Sequence, residues 1–90
     1  MNAQRRKALS TLRGTIEELK AKIEEAKSEI ETLKDEEQDY FDNMPEGFQQ
    51  GDKGQAAEAA ADQLSTACDT LDSVTSELDE VVDRLEEACG

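Results

Sequence analysis

Few side chains in this 90-residue sequence can do covalent chemistry, and their spacing argues against it. There is no His, and the Ser residues fall inside helical repeats with no base nearby in sequence, so no hydroxyl nucleophile is assembled. The only two cysteines, Cys68 and Cys89, are 21 positions apart, about 31 Å along a straight helix, too far for an intrachain disulfide. They read as small apolar side chains, with Cys89 open to a bridge between copies. No Asp/Glu set has the spacing of a calcium loop, and without His a transition-metal site is not expected. The expectation is a non-enzymatic protein with no cofactor and no metal.

The chemistry that remains is recognition. The second half carries Asp69, Asp72, Asp79 and Asp83 with further acids between them. Carboxylates along a rigid rod can imitate the phosphates of DNA and compete for a cationic groove. The alternative is an acidic face kept for solubility. A second candidate surface is the cluster Tyr40, Phe41, Met44 and Phe48, which holds all three aromatics of the chain. Aromatics with Met suit a partner-binding surface, or a plug over the end of a core.

A seven-residue repeat must position these groups. Leu9, Ile16, Ile23 and Ile30 form one row, and Leu12, Leu19, Ala26, Leu33 and Tyr40 a second, spaced alternately three and four apart. That spacing puts both rows on one face of a helix, with Ile and Leu in a coiled-coil pattern. A basic flank, Arg6, Arg13, Lys20, Lys27 and Lys34, recurs with the same period and calls for an acidic partner. Glu37 weakens the seam at its end, and Gly14 falls on the exposed side, costing ~1 kcal/mol relative to Ala.

Pro45 forces Met44 out of helical geometry, and Gly47, Gly51 and Gly54 follow it closely. The expected organisation is therefore a single domain over residues 1–90: a helix over about 4–41, a loop over about 42–52 and a helix over about 53–88. Asp52 is the expected N-cap of the second helix, with Gln55 completing a variant capping box. The two lengths match, as a hairpin folded at the loop requires. The second helix has an apolar stripe three rows wide: Leu64, Leu71, Leu78 and Leu85 in the middle, preceded in register by Ala57, with Ala60, Ala67, Val74, Val81 and Ala88 on one side and Ala61, Cys68, Thr75, Val82 and Cys89 on the other. One partner helix cannot cover so broad a stripe. The fold expected is all-α, an antiparallel helical hairpin (coiled coil) that dimerises into a four-helix bundle. Leu64, Leu71, Val74, Leu78, Val81, Val82 and Leu85 are the expected oligomer interface.

Charge separates the halves. Residues 1–41 carry 8 basic and 10 acidic groups, and residues 42–90 carry 2 and 13. The net charge of -13 repels nucleic acid and anionic membranes and attracts a basic protein surface. No apolar run reaches the length of a membrane span, and no apolar core follows Arg5, Arg6 and Lys7, so a cytoplasmic protein is expected. The cationic start is expected either to lie near Glu86 and Glu87 in the hairpin or to be a solvated, partly frayed end.

The run Tyr40-Phe41-Asp42-Asn43-Met44-Pro45-Glu46, after a Glu/Lys-rich helix and before a Gln, Gly and Ala-Glu-Ala stretch, resembles small helical-hairpin proteins of phages and prophages over about residues 24–88. The resemblance carries over no functional residue. It implies a viral setting, in which a small acidic protein binds and blocks a host protein, as an anti-defence inhibitor or DNA mimic. The alternatives are an oligomer that sequesters a small nucleotide near Arg5, Arg6 and Arg13 or the aromatic loop, and a purely structural assembly factor.

Overall fold

The computed structural model describes all residues 1–90. Helix α1 spans Ala3–Asp42, a single-turn helix α2 spans Glu46–Gln49, and α3 spans Asp52–Cys89. The long helices pack antiparallel into a hairpin of 68 × 15 × 13 Å. The expected loop thus contains a helical turn, set by Pro45, whose fixed φ suits the start of a helix. No helix is long and apolar enough to cross a membrane.

Local chemistry explains the ends. Asn2 caps α1, its Oδ1 accepting from the Arg5 backbone N–H at 2.9 Å. At α3 the expectation of an Asp52 cap is corrected. Gly51 holds the N-cap position without a side-chain bond, and Asp52 lies in the first turn, where its charge favours the helix dipole. Gln55 turns back to donate from Nε2 to the Gln50 carbonyl at 3.0 Å. The corner is held by Gln49, whose Nε2 donates to the Phe41 carbonyl at 3.0 Å. Gly54 completes it by close approach: a Cβ placed there would collide with the Gln49 carbonyl oxygen. Its role is therefore tight packing inside α3 rather than helix breaking.

The expected two-row seam of α1 is only half engaged. Leu9, Ile16, Ile23 and Ile30 are turned toward α3 and half-buried, while Leu12, Leu19, Leu33 and Tyr40 stay 45–53% exposed. On α3 the buried row is Gly54, Ala61, Cys68 and Val82, joined by Ala57. Those small side chains let α1 come close on that side, where its cationic row finds its acidic partners. The rotation that satisfies the charges swings the leucine row outward.

Candidate functional site

Three interhelical ion pairs line one edge of the hairpin. Arg13 bonds Glu86 at 3.0 Å, Lys20 bonds Asp79, and Lys27 bonds Asp72 at 2.6 Å. The residue numbers in each pair total 99, which defines the level at which α1 and α3 stand side by side. Glu17 and Glu31 reinforce Lys20 and Lys27 from within α1. Hydrogen bonding to Asp79, opposed by desolvation, raises the pKa of Lys20 above its ordinary 10.5, and Asp72 does the same for Lys27. Both lysine stems lie along the helix interface, leaving their side chains 22% exposed.

The opposite edge has no such closure. Around α1 the angular order is leucine row, isoleucine row, cationic row; around α3 it is Ala60 row, Leu64 row, Cys68 row, acidic row. In an antiparallel pair the two orders mirror each other. The ion pairs fix one side, so Leu12, Leu19, Leu33 and Tyr40 share the other with Ala60, Ala67, Val74 and Val81. Val81 is 41% exposed, and the Leu64–Leu85 row at the floor of this face is half-buried. The result is an apolar face along much of the hairpin, with Leu12, Leu19, Leu33, Tyr40 and Val81 all more than 40% exposed.

The global dimensions agree. A compact chain of this mass exposes about 5,200 Å² and has a radius of gyration of about 12 Å. The hairpin exposes 6612 Å² with a radius of 20.1 Å. Five of its 90 residues are buried, and no large side chain is fully enclosed. The surplus of about 1,400 Å² reflects the thin, rod-like shape, which leaves little room for an enclosed core.

The expected site residues are distributed unevenly over this frame. Val74, Val81, Leu64, Leu71, Leu78 and Leu85 lie on or beneath the open face, whereas Val82, 8% exposed, is covered by α1 and belongs to the hairpin interior. Leu12, Leu19 and Leu33 belong to the face but read from sequence as intrachain seam. At the loop end Tyr40 and Phe48 are 53% and 67% exposed, while Phe41 and Met44 are half-buried against the corner. Of the four aspartates read as a partner-binding array, Asp72 and Asp79 are engaged by lysines. Asp69 and Asp83 are exposed and form no ion pair.

The expected neighbourhood of cationic start and acidic end does not form. Glu86 takes Arg13, Glu87 takes Arg84 at 3.4 Å, and Arg5, Arg6 and Lys7 make no ion pair. None of the surface depressions is lined by Arg5, Arg6 or Arg13. The hydroxyls of Thr11, Thr15, Thr32, Thr66, Thr70, Ser73 and Thr75 donate to carbonyls one turn back, so they serve the helices.

Fold and face together define an all-α antiparallel helical hairpin with one uncovered apolar side. Compared with known proteins, the chain matches no family model, no curated protein and no solved structure.

Proposed function

We propose that this is a non-enzymatic interaction protein, working as a homodimer in which two hairpins close their apolar faces into a four-helix bundle. The outward acidic helices then occupy a basic surface on another protein. The observation that carries the reading is the apolar face from Leu12 to Tyr40, left open beside Ala60–Val81 by a hairpin whose other edge is zipped by ion pairs. A second copy brings an identical face, as a closed isologous pair requires.

The carboxylates outside the ion pairs, Asp62, Asp69 and Asp83 among them, remain free to meet cations. With the viral setting implied by the loop, the partner is a host protein whose cationic site is blocked, as by a DNA mimic. Light scattering tests the first half: twice the chain mass is expected, and a monomer across the accessible concentration range refutes it. Pull-down from a bacterial lysate tests the second. A basic protein held at low salt and released at high salt is expected; recovery of no protein at either salt refutes the blocking role.

A further inference from the structure

We infer that the second copy docks with its loop at the same end, so that each α1 lies against the partner subunit's α3. This rests on the dimer proposed above and concerns its geometry. Two hairpins facing each other about a twofold axis have two arrangements. An axis along the bundle puts both loops at one end and α1 beside α3. An axis across the bundle puts the loops at opposite ends, with α1 on α1 and α3 on α3.

Side-chain size favours the first. An axis along the bundle leaves the partner's α3 at the level of the chain's own α3, so the spacing set by the ion pairs carries across. Leu33 then meets the partner subunit's Ala67, and Tyr40 meets the partner subunit's Ala60. Leu19 meets the partner subunit's Val81. Large side chains on one helix fill the space left by smaller ones on the other, and both new seams have the same width. With loops opposed, Leu12 would meet the partner subunit's Leu33 on one seam. Val74 would stand within a turn of the partner subunit's Val81 on the other. The leucine pairs would hold one seam wider than the valine pairs hold the other, whereas same-end docking makes the two seams identical.

Charge agrees with size. Lys22 and Glu77 border the open face, both are exposed, and neither has an ion-pair partner within the chain. Their numbers also total 99, yet they lie on opposite flanks of one hairpin and meet only across the dimer. Along the same border Glu29 faces Thr70 and Glu36 faces Gln63, with no like charges opposed. In the loops-opposed arrangement Lys22 falls at the dyad against its own copy. Same-end docking also gathers the exposed Tyr40 and Phe48 of both chains into one aromatic end.

The test is a loop-to-loop distance. Glu46 is exposed on α2, and a spin label on Glu46→Cys, with Cys68→Ala and Cys89→Ala, reports it by pulsed electron resonance. Same-end docking gives a distance under about 30 Å for helices packed 8–10 Å apart. A distance comparable with the 68 Å length of one hairpin overturns the orientation while leaving the dimer intact. A monomeric mass would instead refute the dimer itself. Charge reversal checks the result in a chain with its cysteines intact. Lys22→Glu should weaken the dimer several-fold, and Glu77→Lys in the same chain should restore it. Additive losses from the two changes overturn the proposal.

Discussion

Lys27 Nζ stands 2.6 Å from Asp72 Oδ1, and the same residue's backbone carbonyl accepts from Cys68 Sγ at 3.9 Å. One residue of α1 thus touches both the charged edge and the small-residue row of α3. Reversing its charge removes the pair and sets a new carboxylate against Asp72 as well as Glu31. The melting temperature of Lys27→Glu, followed by circular dichroism, should fall by several degrees, and Asp72→Lys in the same chain should recover most of the loss.

The raised lysines give the pH dependence its sign. A folded-state pKa above the unfolded value means that the protonated form is favoured by folding, so the contribution is complete below 10.5. It is lost as pH rises through the folded values. Thermal melts should therefore show the Lys20 and Lys27 contribution intact at pH 9 and falling above 10.5. A variant with both lysines changed to Met should lack that alkaline component.

Gly54 and Gly14 make a contrasting pair. A methyl at Gly54 collides with the backbone of Gln49, so Gly54→Ala must push the corner open and should cost about 1–3 kcal/mol. Nothing lies within 4 Å of a methyl at Gly14, and Gly14→Ala should stabilise α1 by about 0.5–1 kcal/mol. Urea denaturation of the two variants measures both, and equal effects would contradict the described corner.

The open face makes stability depend on concentration. A protein that dimerises in its native state melts higher as it is concentrated. Leu33→Glu buries a carboxylate in that interface. It should abolish the concentration dependence and give a monomeric mass, because the side chain it replaces is 52% exposed in the single hairpin.

The two thiols should differ in accessibility. Cys68 is buried beneath α1, and Cys89 is half-buried near the end of α3. Under native conditions one thiol per chain should react quickly with a bulky aromatic disulfide reagent, and Cys89→Ala should remove that phase.

Much of the architecture is legible in the sequence because heptad spacing is a strong periodic signal and Pro45 with its glycines marks the turn. Both long helices and the hairpin follow from those features. The facing of α1 did not, because two apolar rows were available and only the cationic row at its other side decides between them. Matching Arg13, Lys20 and Lys27 in reverse order against Glu86, Asp79 and Asp72 would have found it. The single turn at Glu46–Gln49 was hidden for a different reason: four residues are too few to show a period, and Gly54, which the Gln49 backbone approaches closely, reads from sequence as a breaker.

That corner has a further consequence. Rows with period seven are nearly blind to a slide of one heptad: moved by seven residues, Lys20 would find Asp72, Arg13 would find Asp79, and the isoleucine row would still meet the same apolar rows of α3. Neither greasy contacts nor charges tell the helices where to halt. The glycine notch against Gln49 acts as the end-stop, selecting one alignment from a ladder of near-equivalent ones. Lengthening the turn by a whole heptad would release the catch and leave the two rods free to ratchet.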